Sequence, residues 1–79
     1  MPLTKPNQQL RRGLVDLASD LKWSSVELMR IAERLSQGGN ESDAQAVLRI
    51  CRLMQDGEDR LVGYGEEVKA GRIQRLKTD

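Results

Sequence analysis

From Leu10 onward the apolar residues fall at Leu10, Leu14, Leu17, Leu21, Leu28, Ile31 and Leu35, in steps of four and three, with Ser24 at the seam position where an apolar residue would continue the series. That spacing is a helical stripe of heptad type. Gly38, Gly39 and Asn40 then interrupt it with residues that tolerate left-handed backbone angles, which predicts a turn. A second stripe follows at Val47, Ile50, Cys51, Met54, Leu61, Tyr64 and Val68, with a gap at Gly57 and Glu58. Ser42 followed by Gln45 resembles a capping box for this second helix, and Asp43 suits its first turn electrostatically. Gly63 and Gly65 weaken residues 58–70 by roughly 1 kcal/mol each relative to alanine, Gly71 is the expected stop, and Ile73 and Leu76 offer one more short turn.

The pattern predicts an all-α fold: an antiparallel helical hairpin or small helical bundle with arms about 7–37 and 41–70. Residues 1–79 form a single small domain, with 1–6 and 72–79 as flexible basic ends. Breaks are expected near Trp23 and Gly57. At the first, Ser24 reads as an N-cap with Glu27 three residues on, and Trp23 and Leu28 would form the hydrophobic staple. The heptad phase of Leu14 and Leu21 nevertheless runs straight on to Leu28 and Leu35, as an unbroken helix requires. The start signal and the serine in the seam tip the reading towards a break, which would bury the indole. An unbroken helix would leave it in solvent, free to anchor a partner.

Composition sharpens the picture. The chain has 79 residues, no phenylalanine, one tryptophan and one tyrosine, so its core is built from Leu, Val, Ile, Met and Ala. A chain this small with so little side-chain bulk is marginally stable alone, and pairing of two hairpins into a four-helix-bundle homodimer is the expected remedy. Val15, Val26, Leu48, Leu53, Met29 and Met54 lie off or at the edge of the main stripes and widen the apolar face, as a dimer demands. The lone Cys51 makes no internal disulfide, and the chain shows neither a leader pattern nor an apolar run of membrane-spanning length, so a cytoplasmic protein with no membrane partner is expected. Nine arginines against four lysines suit a GC-rich bacterial genome, or a phage or plasmid.

Net charge is +1, but unevenly spread. Residues 1–15 carry Lys5, Arg11 and Arg12 and no acid, and residues 68–79 carry Lys69, Arg72, Arg75 and Lys77 against Asp79; each end is therefore +3 and the stretch between them −5. A hairpin would gather Arg11, Arg12, Lys69, Arg72 and Arg75 into one basic pole.

Candidate chemistry is sparse. With no histidine, the usual Ser-His and Cys-His nucleophiles and histidine-ligated metal sites are excluded, so no enzyme activity, metal or cofactor is expected. Cys51 sits on the apolar stripe and reads as a small hydrophobe despite Arg49 and Arg52 nearby. The acids of residues 56–60 lack the twelve-residue spacing of a calcium loop, and residues 63–67 lack the Lys and Ser/Thr of a phosphate loop. Residues 28–50 could be taken for a DNA-reading helix-turn-helix, but Glu41 and Asp43 would face phosphates there. The expected role is therefore binding to another protein, as inhibitor, adaptor or regulatory subunit, through Trp23, Met29, Arg49, Arg52 and Tyr64. The alternative is a nucleic-acid-associated regulator that uses the basic pole, although that pole lacks the aromatic interleaving of single-strand binders.

Overall fold

The structure, a computed structural model, describes residues 4–76. It consists of two helices, α1 (Lys5–Gln37) and α2 (Glu41–Lys69), packed against each other as an antiparallel hairpin. The arms agree with those predicted from the stripes. Of the two ends expected to be flexible, residues 1–3 and 77–79 lie outside the described residues, while Lys5 and Pro6 belong to the first turn of α1.

Each helix boundary has a local cause. Thr4 caps α1: its Oγ1 accepts from the Asn7 N–H at 3.3 Å, and Pro6 sits in the first turn, where a missing N–H costs nothing. At the other end the Asn40 N–H donates to Leu35 O at 2.8 Å and the Gly39 N–H to Ser36 O at 3.1 Å, with Gly39 at φ +83°. This is the Schellman arrangement, which needs a left-handed residue at its centre. α2 ends the same way, with Arg72 N–H to Glu67 O at 2.8 Å, Gly71 N–H to Val68 O at 3.1 Å and Gly71 at φ +82°. The extra turn expected at Ile73 and Leu76 does not form; the chain instead runs back along α1, where the Arg75 N–H donates to Asn7 Oδ1 at 2.8 Å.

Four local expectations are corrected. α1 runs unbroken through Trp23. Ser24 is not a cap and is exposed, while the seam serine is Ser25, buried to 2% exposure, whose hydroxyl donates to Lys22 O at 2.9 Å inside the helix. The continuous leucine phase outweighs the capping signature because a break would forfeit packing along half the arm. α2 likewise continues through Gly57: a Cβ there would lie 3.3 Å from Leu21 Cδ1, so the glycine serves close approach of the helices and not a break. Finally, α2 starts at Glu41 with Asn40 as its cap, and the Gln45 amide reaches Glu41 instead of completing a box with Ser42.

The seam has two columns of unequal size. Ala18, Ser25 and Ala32 of α1 meet Ala44, Cys51 and Gly65 of α2, all buried and spaced by seven or fourteen residues. Cys51 Sγ lies 3.5 Å from Ser25 O, and a Cβ on Gly65 would lie 3.7 Å from Val15 Cγ2. Beside this small column runs a large one, Leu14, Leu21, Leu28 and Leu35 with Val47, Met54, Leu61 and Val68, of which Val68 alone is buried and the rest are half-buried. In an antiparallel heptad seam the small column borders one side, carrying Val15, Met29, Leu48 and Val62, and the large column borders the other, carrying Leu10, Leu17, Ile31, Ile50 and Tyr64. The contacts of Gly65 with Val15 and of Gly57 with Leu21 fix this assignment. We term these the narrow and broad sides.

Candidate functional site

Two surfaces stand out. The first surrounds Trp23, which is 64% exposed on the outer face of α1. The ammonium of its neighbour Lys22 lies 5.7 Å from the ring centroid, a cation–π pair that covers little of the indole. Val26 and Met29 follow at intervals of three, which on a helix makes one contiguous ridge from the outer face round to the narrow side. Met29 is 37% exposed, and the helix register brings Leu48 and Arg52 of α2 to the same level across the seam. Of the residues expected to form a partner surface, the fold thus gathers Trp23, Met29 and Arg52. Arg49 projects from the back of α2, and Tyr64, 45% exposed, belongs to the broad side nearer the open end.

The second surface is the open end, where both termini meet. Arg11, Arg12, Lys69, Arg72 and Arg75 all stand there, and among the described residues none of them pairs with a carboxylate; the ion pair found in the hairpin is Arg30–Glu27 at 3.6 Å on the exposed face of α1. Gln8, Arg11, Arg12 and Val15 line an open groove. Arg11 falls where the small column would continue, so its stem packs into the seam and its Nε is buried without a hydrogen-bond partner. The Arg75–Asn7 bond, tying the C-terminal segment to α1, was not foreseen; only the Asn7 side chain at a seam position hinted at it.

The turn end holds a smaller polar cluster. Ser36 Oγ–H and Gln45 Nε2–H both donate to the Glu41 carboxylate, the latter at 3.0 Å, and these bonds hold its pKa below the ordinary carboxylate value. Cys51 is buried, in keeping with the packing role expected of it. Among the described residues no group of three or more Cys, Asp or Glu side chains is placed to hold a metal ion, and no helix is long and apolar enough to cross a membrane. Compared with protein families, curated proteins and solved structures, the chain matches none.

Proposed function

We propose that this chain is a small non-catalytic helical protein that acts, as a homodimer, by binding another protein as an inhibitor, adaptor or regulatory subunit. The setting this reading assumes is a bacterial cytoplasm, with the gene on the chromosome, a phage or a plasmid. The observation that supports it is Trp23. A tryptophan in the middle of an unbroken helix, nearly two-thirds exposed and continuous with Val26 and Met29, contributes little to the hairpin's own packing. Tryptophan and arginine are the side chains most enriched at the energetic centres of interfaces. The partner this surface fits has an apolar cleft for the indole and acidic groups at its rim, facing Lys22, Arg30 and Arg52.

The test is Trp23→Ala. Stability should change by no more than about 0.5 kcal/mol, as for a surface substitution. The indole of the unmodified free protein should emit at the long wavelength of a solvated ring and shift to the blue when the partner binds. Retention from a native extract by the immobilised chain should be lost for the variant. A large drop in melting temperature with retention unchanged would return Trp23 to a packing role.

A second reading is supported by the open end. Five cations without carboxylate partners among the described residues are a footprint for polyphosphate, as in a nucleic-acid-associated regulator.

A further inference from the structure

We infer that the returning segment, residues 71–76, completes a phosphate site at the open end, that Asn7 is the residue that positions it there, and that the ligand is the phosphodiester backbone of a nucleic acid. This rests on the second reading above and adds to it the residues that build the site and the device that sets them.

The register brings cations together from both helices. Val15 meets Gly65 across the seam, and Arg11 and Lys69 each lie four residues, about one helical turn, beyond that contact towards the open end. Lys69 follows Val62 by seven residues and so stands on the narrow side, where Gln8, Arg11, Arg12 and Val15 line the open groove. α2 then stops, and Gly71 at φ +82° turns the chain back. The Arg75 N–H donates to Asn7 Oδ1 at 2.8 Å, and Asn7, 7% exposed, stands one turn before Arg11. The backbone of Arg72 and Arg75 is thereby held between the levels of Asn7 and Arg11, with both side chains exposed.

The charge gathered this way is one-sided. Residues 4–12 and 68–76 carry six cations, Lys5, Arg11, Arg12, Lys69, Arg72 and Arg75, and no acid, within roughly 10 Å along α1. Like charges at this density repel and work against the fold, yet an uncharged carbonyl fastens two more of them in place. Arg11 adds a second sign. Its Nε is buried with no hydrogen-bond partner, and among the described residues no carboxylate pairs with it, so a cation partly withdrawn from water stands at the groove without a counter-charge. A bound anion offsets both costs. Four of the six cations are arginines, whose planar fork matches phosphate. Their spread suits a polymer: the phosphates of one strand follow one another about every 3.4 Å of duplex axis, so the cations span several of them. Neither stretch holds an aromatic residue, the usual anchor at the energetic centre of a protein–protein interface, whereas interfaces with nucleic acid are built chiefly on cations.

The test is Asn7→Ala, which leaves every charge in place. Binding of a labelled duplex and a labelled homopolymeric single strand is followed by anisotropy across a salt series. Asn7→Ala should weaken binding of both at unchanged helicity. On the duplex it should flatten the dependence of log affinity on log salt by about 2, the contacts of Arg72 and Arg75 at about 0.9 each. Arg72→Gln with Arg75→Gln, at two exposed positions, should flatten it equally, and adding Asn7→Ala to that pair should flatten it no further. A slope unchanged in Asn7→Ala, or a further loss when it joins the arginine pair, makes Asn7 a structural tie and overturns its positioning role, with the pole still standing as a phosphate site. The arginine pair alone keeps the proposal testable should Asn7→Ala fail to fold: a slope unchanged there removes the returning segment from the site. No binding of either nucleic acid by the unmodified chain at low salt overturns the second reading and this inference with it. Retention on vesicles of an anionic phospholipid in place of nucleic acid overturns the choice of ligand.

Discussion

Ser25 shows how much of this fold depends on small side chains. It sits at 2% exposure opposite Cys51, with Ala18, Ala32, Ala44 and Gly65 continuing the same column, so the two backbones approach where no large side chain would fit. Ser25→Leu should overpack this line and lower stability by roughly 1 to 3 kcal/mol, read from denaturant midpoints, whereas Ser25→Ala should be nearly neutral because its hydroxyl bonds only to a carbonyl of its own helix. Tolerance of leucine at 25 would sink the close-approach account. The seam was only partly legible in the sequence for the same reason. A hydrophobicity pattern weights the large apolar positions, so it indicated Leu17, Ser24 and Ile31, whereas the hairpin buries Ala18, Ser25 and Ala32, one residue on. The rotation of about 100° per residue separates the two lines and leaves the large residues on the broad side. The serine that looked like a flaw in the stripe was the neighbour of the one that matters.

At the scale of elements, the arm limits and the glycine turn were legible because Gly38, Gly39 and Asn40 supply the left-handed residue a Schellman stop needs, and Gly71 does so again. The breaks expected near Trp23 and Gly57 do not form because local start and stop signals compete with long-range packing that a single helix does not reveal. Gly57 costs helix propensity but admits Leu21, and just past the middle of α1 the Ser-Glu spacing at 24 and 27 falls in an ordinary helix interior. The start of α2 illustrates a different competition. Its first acid, Glu41, is bonded from both flanks by Ser36 and Gln45, so the turn is tied by a charged acceptor and not by a capping box. Those bonds, the one from Ser36 foremost, lower the folded pKa of Glu41 below its ordinary value. The group therefore contributes stability that is fully present above the unfolded carboxylate pKa and is lost as the pH falls through the lower folded value. Carboxyl chemical shifts followed through an acid titration should show Glu41 titrating below the ordinary glutamate value. Ser36→Ala should move it back towards that value; an unchanged midpoint would show that the bond from Ser36 is not the cause.

For the whole molecule, the question is which of two surfaces does the work, and salt separates them. The open end concentrates Arg11, Arg12, Lys69, Arg72 and Arg75 at one extreme of a hairpin 54 Å long, while the Trp23 ridge lies near its middle. If phosphates are the ligand, each cation that contacts one releases a counterion, so the logarithm of affinity falls linearly with the logarithm of salt, by about 0.9 per contact on duplex DNA. Arg72→Glu with Arg75→Glu should then flatten that slope by about 2 and weaken binding to all sequences alike, because nothing at this end is built to read base edges. Reversal at Arg75 acts on its side chain alone, since the bond to Asn7 is made by its backbone N–H. The same variant would also weaken an acidic protein partner, so the decisive comparison adds Trp23→Ala. Fluorescence anisotropy with labelled duplex and single strands at low salt should then show loss of binding for the arginine variant and full retention for Trp23→Ala if the pole is the functional surface. No binding of either nucleic acid by the unmodified chain at low salt removes the pole as a phosphate site and leaves the proposal of a protein partner at the Trp23 ridge in front.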